Sequence, residues 1–218
     1  MVSTQEKEEK VVEFDIVAAT NEHLKYVGQI VQLIEDASKV KGTGIALRSA
    51  EYITKKIAED KAVIALHNGE AAGFCYIETW ENKKYVANSG LIVSDKFRKA
   101  GLASKIKAKA FELSRQRYPN SRIFGLTTSL AVMKINSALG YVPVTFSEIT
   151  QDDEFWKGCE TCNYYDVLQR TDREKCLCTG MLFTPNPSKI KEKRIEDKTK
   201  REQIFYRWVR MKINKELK

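Results

Sequence analysis

The sequence predicts an α/β fold of the α+β type, a sheet flanked by helices, on three observations. Two apolar runs, 62–66 and 71–77, are joined by His67-Asn68-Gly69-Glu70. Asn-Gly between strand-like runs is the strongest short hairpin signal. A strand-like run over 86–93 leads into Arg98-Lys99-Ala100-Gly101-Leu102-Ala103, which opens a long helix over about 101–116. A further strand at 122–128 is then followed by a short helix that ends at Ala138-Leu139-Gly140, with Gly140 as its cap.

The remaining elements follow in order. Residues 12–18 read as a first strand. Asn21 caps a helix running to about residue 37, with Leu24, Val27, Ile30, Val31 and Ile34 on one face. After Lys41-Gly42-Thr43-Gly44 the chain reads Ile45-Ala46-Leu47-Arg48-Ser49, and Ser49 caps a second helix with Glu51, Tyr52 and Ile53 in its first turn. The R-x-x-G-x-A turn at 98–103 is built to bind phosphate. Unpaired N–H groups of a first helical turn point outward, and the helix dipole adds partial positive charge there. Gly101 lets a ligand approach the backbone, and Ala103 keeps the entrance small.

A chain of 218 residues, 43% of them hydrophobic, can bury one good core plus an appendage. No apolar run reaches the length of a membrane span, and the start lacks a signal peptide's apolar segment, so a soluble cytoplasmic protein is expected. Residues 189–218 hold twelve Lys or Arg against five Asp or Glu, a surplus of seven that leaves the rest of the chain at +1. The rest of the chain therefore carries no strong basic signal for nucleic acid. Pro185-Asn186-Pro187-Ser188 marks a linker to a basic tail over 185–218, expected to be helical. Its Ile204, Phe205, Trp208, Val209 and Met211 make one apolar face. The tail reads either as a helix docking on the body or on a second subunit of a homodimer, or as a polyanion-binding arm.

The turn at 98–103, together with the order of elements over 11–148, resembles the GNAT superfamily of N-acetyltransferases. That resemblance implies a mixed, mostly antiparallel sheet splayed between strands four and five. Acyl-CoA, either acetyl- or succinyl-CoA, would be the cosubstrate, with its diphosphate on Arg98, Lys99, Ala100, Gly101, Leu102 and Ala103. Backbone N–H groups near Ile92 and Val93 would bind the thioester oxygen and the pantetheine arm, and fixed donors there stabilise the developing oxyanion. Three further segments resemble the acyltransferase domain of N-acetylglutamate synthase. They are Gly44-Ile45-Ala46-Leu47-Arg48-Ser49, Phe124-Gly125-Leu126-Thr127-Thr128 and Ala138-Leu139-Gly140-Tyr141-Val142-Pro143-Val144. They imply a small-molecule amine acceptor, glutamate, at the entry to arginine synthesis. Arg48 would grip a carboxylate, since its planar fork suits one. Ser129 stands where that family has an arginine, so Lys134 is the candidate second positive charge. The glutamate base that many relatives carry on strand four is replaced here within Ala87-Asn88-Ser89-Gly90, which leaves Glu78 on strand three as the candidate base. The position of the relatives' tyrosine acid falls near Asn136. No amino-acid kinase domain accompanies these residues, so a free-standing form without arginine feedback is expected. Two other readings stay open: the same fold acting on a protein, lysine or polyamine amine, or a non-catalytic acyl-CoA-binding adaptor.

His23 and His67 are the only histidines, and Cys75 lies in an apolar strand, so covalent catalysis is not expected. The other four cysteines, Cys159-x-x-Cys162 and Cys176-x-Cys178, fall in an insertion and final strand over 150–184. Two close pairs suit one structural tetrahedral zinc ion. Alternation along a strand would also point Cys176 and Cys178 one way without metal. The insertion is expected between the last two strands, where it could cover the acceptor pocket. Trp156, Tyr164 and Tyr165 give it apolar mass, and so small a unit gains from a metal staple.

Overall fold

The computed structural model describes residues 13–186. The chain divides into one unit ending at Phe183 and a second beginning at Thr184. The expected basic helix lies, beyond Asn186, outside the described residues.

Among the described residues the first unit holds seven strands and six α-helices: β1 (Asp15–Ala18), α1 (Val27–Ser38), α2 (Ala50–Ala58), β2 (Ala62–His67), β3 (Glu70–Trp80), β4 (Tyr85–Val93), α3 (Leu102–Arg117), β5 (Arg122–Thr127), α4 (Leu130–Ala138), β6 (Val142–Val144), α5 (Asp153–Lys157), α6 (Tyr165–Arg170) and β7 (Thr179–Phe183). They form one sheet in the order β1-β2-β3-β4-β5-β7-β6, antiparallel except between β4 and β5. The hairpin turn sits at Asn68 and Gly69, both at positive φ (48° and 80°), as a tight right-twisted hairpin requires. Ser49 caps α2 as expected, its side chain accepting from the Tyr52 N–H at 3.2 Å.

The first helix departs from expectation at its start. Thr20, not Asn21, stands at the cap, and its N–H donates to His23 Nδ1 at 3.0 Å. A 3-10 turn over Asn21–Tyr26 precedes α1. The reciprocal Thr20–His23 contact stabilises this tighter entry, which the apolar spacing alone does not reveal.

Side-chain alternation divides the core between the two faces of the sheet. Ala62, Ile64, Phe74 and Tyr76 face α1 and α2, packing on Ile30, Ile34, Ile53 and Ile57. Val63, Ala65, Cys75, Ile77, Val86 and Ile123 face the other way, under Leu102, Ile106 and Ala110 of α3. The insertion extends the α1/α2 layer: its Trp156 and Leu168 cover Tyr85, Ala87, Phe124 and Leu182. In chain order it lies between β6 and β7 and carries α5 and α6. Among the described residues no helix is long and apolar enough to cross a membrane.

Two irregularities in β4 open the sheet. Pairing with β5 covers only Tyr85–Ala87 against Arg122–Phe124, after which the strands separate. On its other edge, Ser89 pairs with Tyr76 and Ile92 with Phe74, so Gly90 and Leu91 together oppose Cys75 in a bulge. Gly90 sits at φ +63°, and a Cβ there would meet the Tyr76 ring at 2.6 Å. Only glycine suits both constraints.

Candidate active site

A cavity of about 230 Å³ lies where β4 and β5 part. Asn88 to Ile92 form one wall and Phe124 to Ser129 the opposite one. Gly44, Ile45, Ala46 and Arg48 close it from the α1–α2 loop, and Trp156 and all four insertion cysteines close it from the far end. Two of the sequence-singled segments thus meet at one place, though 80 residues of chain separate Gly44 from Phe124. Thr128 ties them together: its hydroxyl accepts from the Gly44 N–H and donates to the Gly42 carbonyl, both at 3.3 Å.

The phosphate turn follows β4 through a 3-10 turn at Asp95–Phe97. Lys99 and Gly101 both adopt positive φ (69° and 71°), and α3 starts immediately after Gly101. Among the described residues no acceptor takes the N–H groups of Lys99 to Ala103. A Cβ at Gly101 would meet none of the described residues within 4 Å, so the space above it is open to a ligand. Arg98 is held by Asp95 at 2.6 Å on the exposed surface. This is a row of backbone donors at the positive end of a sixteen-residue helix, and it can take an anion.

The acceptor-side residues are less uniform. Arg48 lines the cavity, but part of its fork is occupied. Nε donates to the Tyr76 hydroxyl at 2.9 Å, and Nη1 to the carbonyls of Leu47 (2.7 Å) and Gly158 (3.0 Å). Nη2 is left for a ligand, so the expected two-point grip is reduced to what this one nitrogen offers. Glu78 is not in the cavity wall; its carboxylate is taken up by Lys56 and the Tyr52 hydroxyl. Lys56 is buried, so this pair is structural, and a long-range contact of this kind has no local sequence signal. Lys134 is exposed on α4 and likewise absent from the wall. Ile92 lines the cavity and Val93 does not, although both lie on β4 beyond its pairing with β5. No Asp, Glu or His lines the cavity among the described residues.

Sequence reading missed a polar cluster behind the wall. Lys107 of α3 is only 2% exposed, and its Nζ donates to the Asn88 carbonyl at 3.4 Å. The Asn88 side chain accepts from the Tyr141 hydroxyl (2.9 Å) and donates to Ser114 Oγ (2.7 Å). Asn136, 1% exposed, lines the cavity with its Oδ1 unpartnered. Burial pulls the Lys107 amine down to about 8, against a smaller opposing effect of Cys75. A signal existed: Lys107 is in helical register with Ala110 and Ser114, both small and buried.

The four insertion cysteines converge. Burial and then Cys162 push the Cys159 thiol up to about 11, with Arg48 opposing. Burial and the thiols of Cys176, Cys162 and Cys159 push Cys178 well up. Among the described residues, however, no three His, Cys, Asp or Glu side chains stand together at metal-holding spacing. The donor set suits zinc; its present arrangement is one of neighbouring thiols.

With the anion turn and the split sheet established, comparison with known proteins becomes informative. Residues 31–134 match the model of the acetyltransferase (GNAT) family. Those residues belong to a GNAT acetyltransferase domain. Among solved structures, this GNAT domain is similar to N-acetylglutamate synthase from Neisseria gonorrhoeae, complexed with coenzyme A and N-acetyl-glutamate. The two are 16% identical with a TM-score of 0.57, over 81% of this chain and 36% of that one. The chain thus spans about a third of that synthase. It is also similar to Rv2747 from Mycobacterium tuberculosis, in complex with CoA and NLQ (14% identity, TM-score 0.58, 79% and 99% covered). A third is diaminobutyrate acetyltransferase EctA from Paenibacillus lautus, in complex with its substrate and coenzyme A (13%, 0.53, 80% and 96%). At these identities the likeness is one of fold. A search of curated protein sequences gives no match.

Proposed function

We propose that this GNAT domain transfers an acyl group from acyl-CoA to the amino group of a small carboxylate-bearing acceptor, with glutamate the first choice. The observation that carries the reading is the cavity at the β4–β5 split with Arg48 in its wall. The coenzyme diphosphate binds the free N–H groups of Lys99 to Ala103, where Arg98 adds charge. Pantetheine enters the split, and β4 backbone N–H groups near Ile92 and Val93 hold the thioester oxygen. The acceptor amine attacks as the neutral form. Its nitrogen bonds to the carbonyl carbon, the C–S bond breaks, and the amine proton leaves through water to the departing thiolate, since no carboxylate lines the cavity among the described residues. Glutamate is supported over a polyamine by the cationic Arg48 and by the lack of acidic groups in the wall. The same lack favours one second reading, a non-catalytic acyl-CoA-binding adaptor. Turnover of acetyl- and succinyl-CoA against a panel of amines tests both.

Arg48→Ala is expected to lower kcat/KM for glutamate about 10- to 150-fold, the range for one hydrogen bond to a charged group, with little change in KM for acyl-CoA. Glutamine keeps the α-carboxylate and lacks the side-chain charge. If Arg48 holds the side chain, the variant loses its preference for glutamate over glutamine; if it holds the α-carboxylate, both substrates fall together. A variant as active as the parent would remove Arg48 from the site. A parent that ignores glutamate yet acylates peptides or polyamines would replace the acceptor.

A structural zinc ion on Cys159, Cys162, Cys176 and Cys178 belongs to the same proposal, supported by the convergence of all four thiols on one end of the cavity. Protein purified under reducing conditions without chelator is then expected to carry about one equivalent of zinc, lost in Cys162→Ser. Metal analysis that finds none rejects the ion.

A further inference from the structure

The cavity wall holds a cation that the reaction above does not use. Lys107 has one long hydrogen bond, to the Asn88 carbonyl, lies over the Tyr141 ring with its Nζ 5.3 Å from the centroid, and makes no ion pair among the described residues. The titratable group acting on it is Cys75, a buried thiol pushed up to about 11 and therefore neutral. A buried ammonium with two donors unspent is costly unless an anion joins it. It also lies where the sheet divides: a Cβ at Gly125 of β5 would stand 3.6 Å from its Nζ and 3.3 Å from the Asn88 carbonyl of β4. Both strands and Lys107 line the one cavity, so an acyl chain entering between them runs toward this amine.

We propose that Lys107 binds the free carboxylate of a dicarboxylic acyl group, so that the donor is a succinyl-type acyl-CoA rather than acetyl-CoA. This rests on the acyl-transfer reading and specifies its donor. The reach agrees. A strand rises about 3.3 Å per residue, which puts the Asn88 carbonyl on the order of 10 Å from the β4 backbone at Ile92 once the bulge is allowed for. A four-carbon diacyl group with a hydrogen bond at each end spans such a gap. A two-carbon acetyl group would leave the ammonium facing the empty end. Asn136 adds a second partner in the same cavity. Its Oδ1 is unpartnered as placed, and rotating the amide by half a turn offers N–H to the other carboxylate oxygen.

Binding of succinyl-CoA, butyryl-CoA and acetyl-CoA to the full chain tests this by calorimetry, because butyryl has the same carbon count without the charge. Succinyl-CoA is expected to bind at least about tenfold tighter than butyryl-CoA, the lower end for a hydrogen bond between charged groups. Lys107→Met should bring that ratio close to one. Equal affinity of the parent for the two thioesters overturns the proposal without any variant. Equal losses on both thioesters in Lys107→Met also overturn it, and assign the amine to packing or proton transfer. Turnover is scored separately. A succinyl preference in binding with no transfer to any amine sinks the reaction and leaves the carboxylate site standing. Active transfer with no succinyl preference does the reverse.

Discussion

Gly101→Val is expected to raise the acyl-CoA dissociation constant by about 100-fold or more, equivalent to about 2.7 kcal/mol, in a protein that still folds. Gly101 sits at φ +71° as the residue before α3, where a β-branched side chain costs about 1–2 kcal/mol of backbone strain. Among the described residues nothing lies within 4 Å of the added Cβ, so packing is not the main effect. The side chain instead fills the space in front of the N–H groups of Lys99 to Ala103. Calorimetric titration with acetyl-CoA, alongside a thermal melt, separates the two contributions. Unchanged affinity in a folded variant would take the phosphate site away from this turn. Gly101→Ala, with the same strain and a smaller obstruction, should fall between the two.

Trp156→Ala is expected to destabilise the described unit by about 3–5 kcal/mol, the usual range for emptying a buried Trp site. Trp156 is 2% exposed and packs the insertion on Tyr85, Phe124 and Leu182 of the sheet, with the rings of Phe146 and Phe155 at centroid distances of 5.4 and 5.0 Å. Its indole N–H donates to the Thr150 carbonyl at 3.0 Å, and losing that donor leaves a buried acceptor unpaired. Since Trp156 also lines the cavity, the loss should raise KM for the acceptor amine more than KM for acyl-CoA. Denaturant melts measure the first effect, and limited proteolysis with fragments cut between 150 and 178 localises it. A variant within 1 kcal/mol of the parent would show that the insertion is held by something other than this indole.

What the sequence makes legible is mostly local. The Asn68-Gly69 turn, the Ser49 cap and the strand–turn–helix at 98–103 each depend on a few adjacent residues, and β2, β4, α3 and β5 stand within a residue or two of their expected bounds, while β3 runs on to Trp80. The meeting of Gly44–Arg48 with 124–128 depends on sheet order; it was accessible only through resemblance. Glu78 failed as a cavity residue because Lys56 and Tyr52, 22 and 26 residues away, claim its oxygens. Lys107 escaped notice for a different reason. A lysine in a lysine-rich helix reads as solvated by default, and only the small buried Ala110 and Ser114 in its register say otherwise. Arg48 was found by its type and neighbourhood, but the spending of its donors on Tyr76, Leu47 and Gly158 is a property of the folded chain.

The position of β7 has a consequence for biosynthesis. Strands β2 to β5 each pair with the strand before them, so that much of the sheet can assemble in the order in which the ribosome releases it. β6 cannot join at its own turn. Its neighbour is β7, which emerges some 35 residues later and must slot between two segments already synthesised. Until then the exposed edge of β5 and the apolar side chains of the insertion have no cover. A stalled or truncated product ending before Thr179 would present that edge to other nascent chains, which makes the last strand the step where a chaperone holding this polypeptide has most to do.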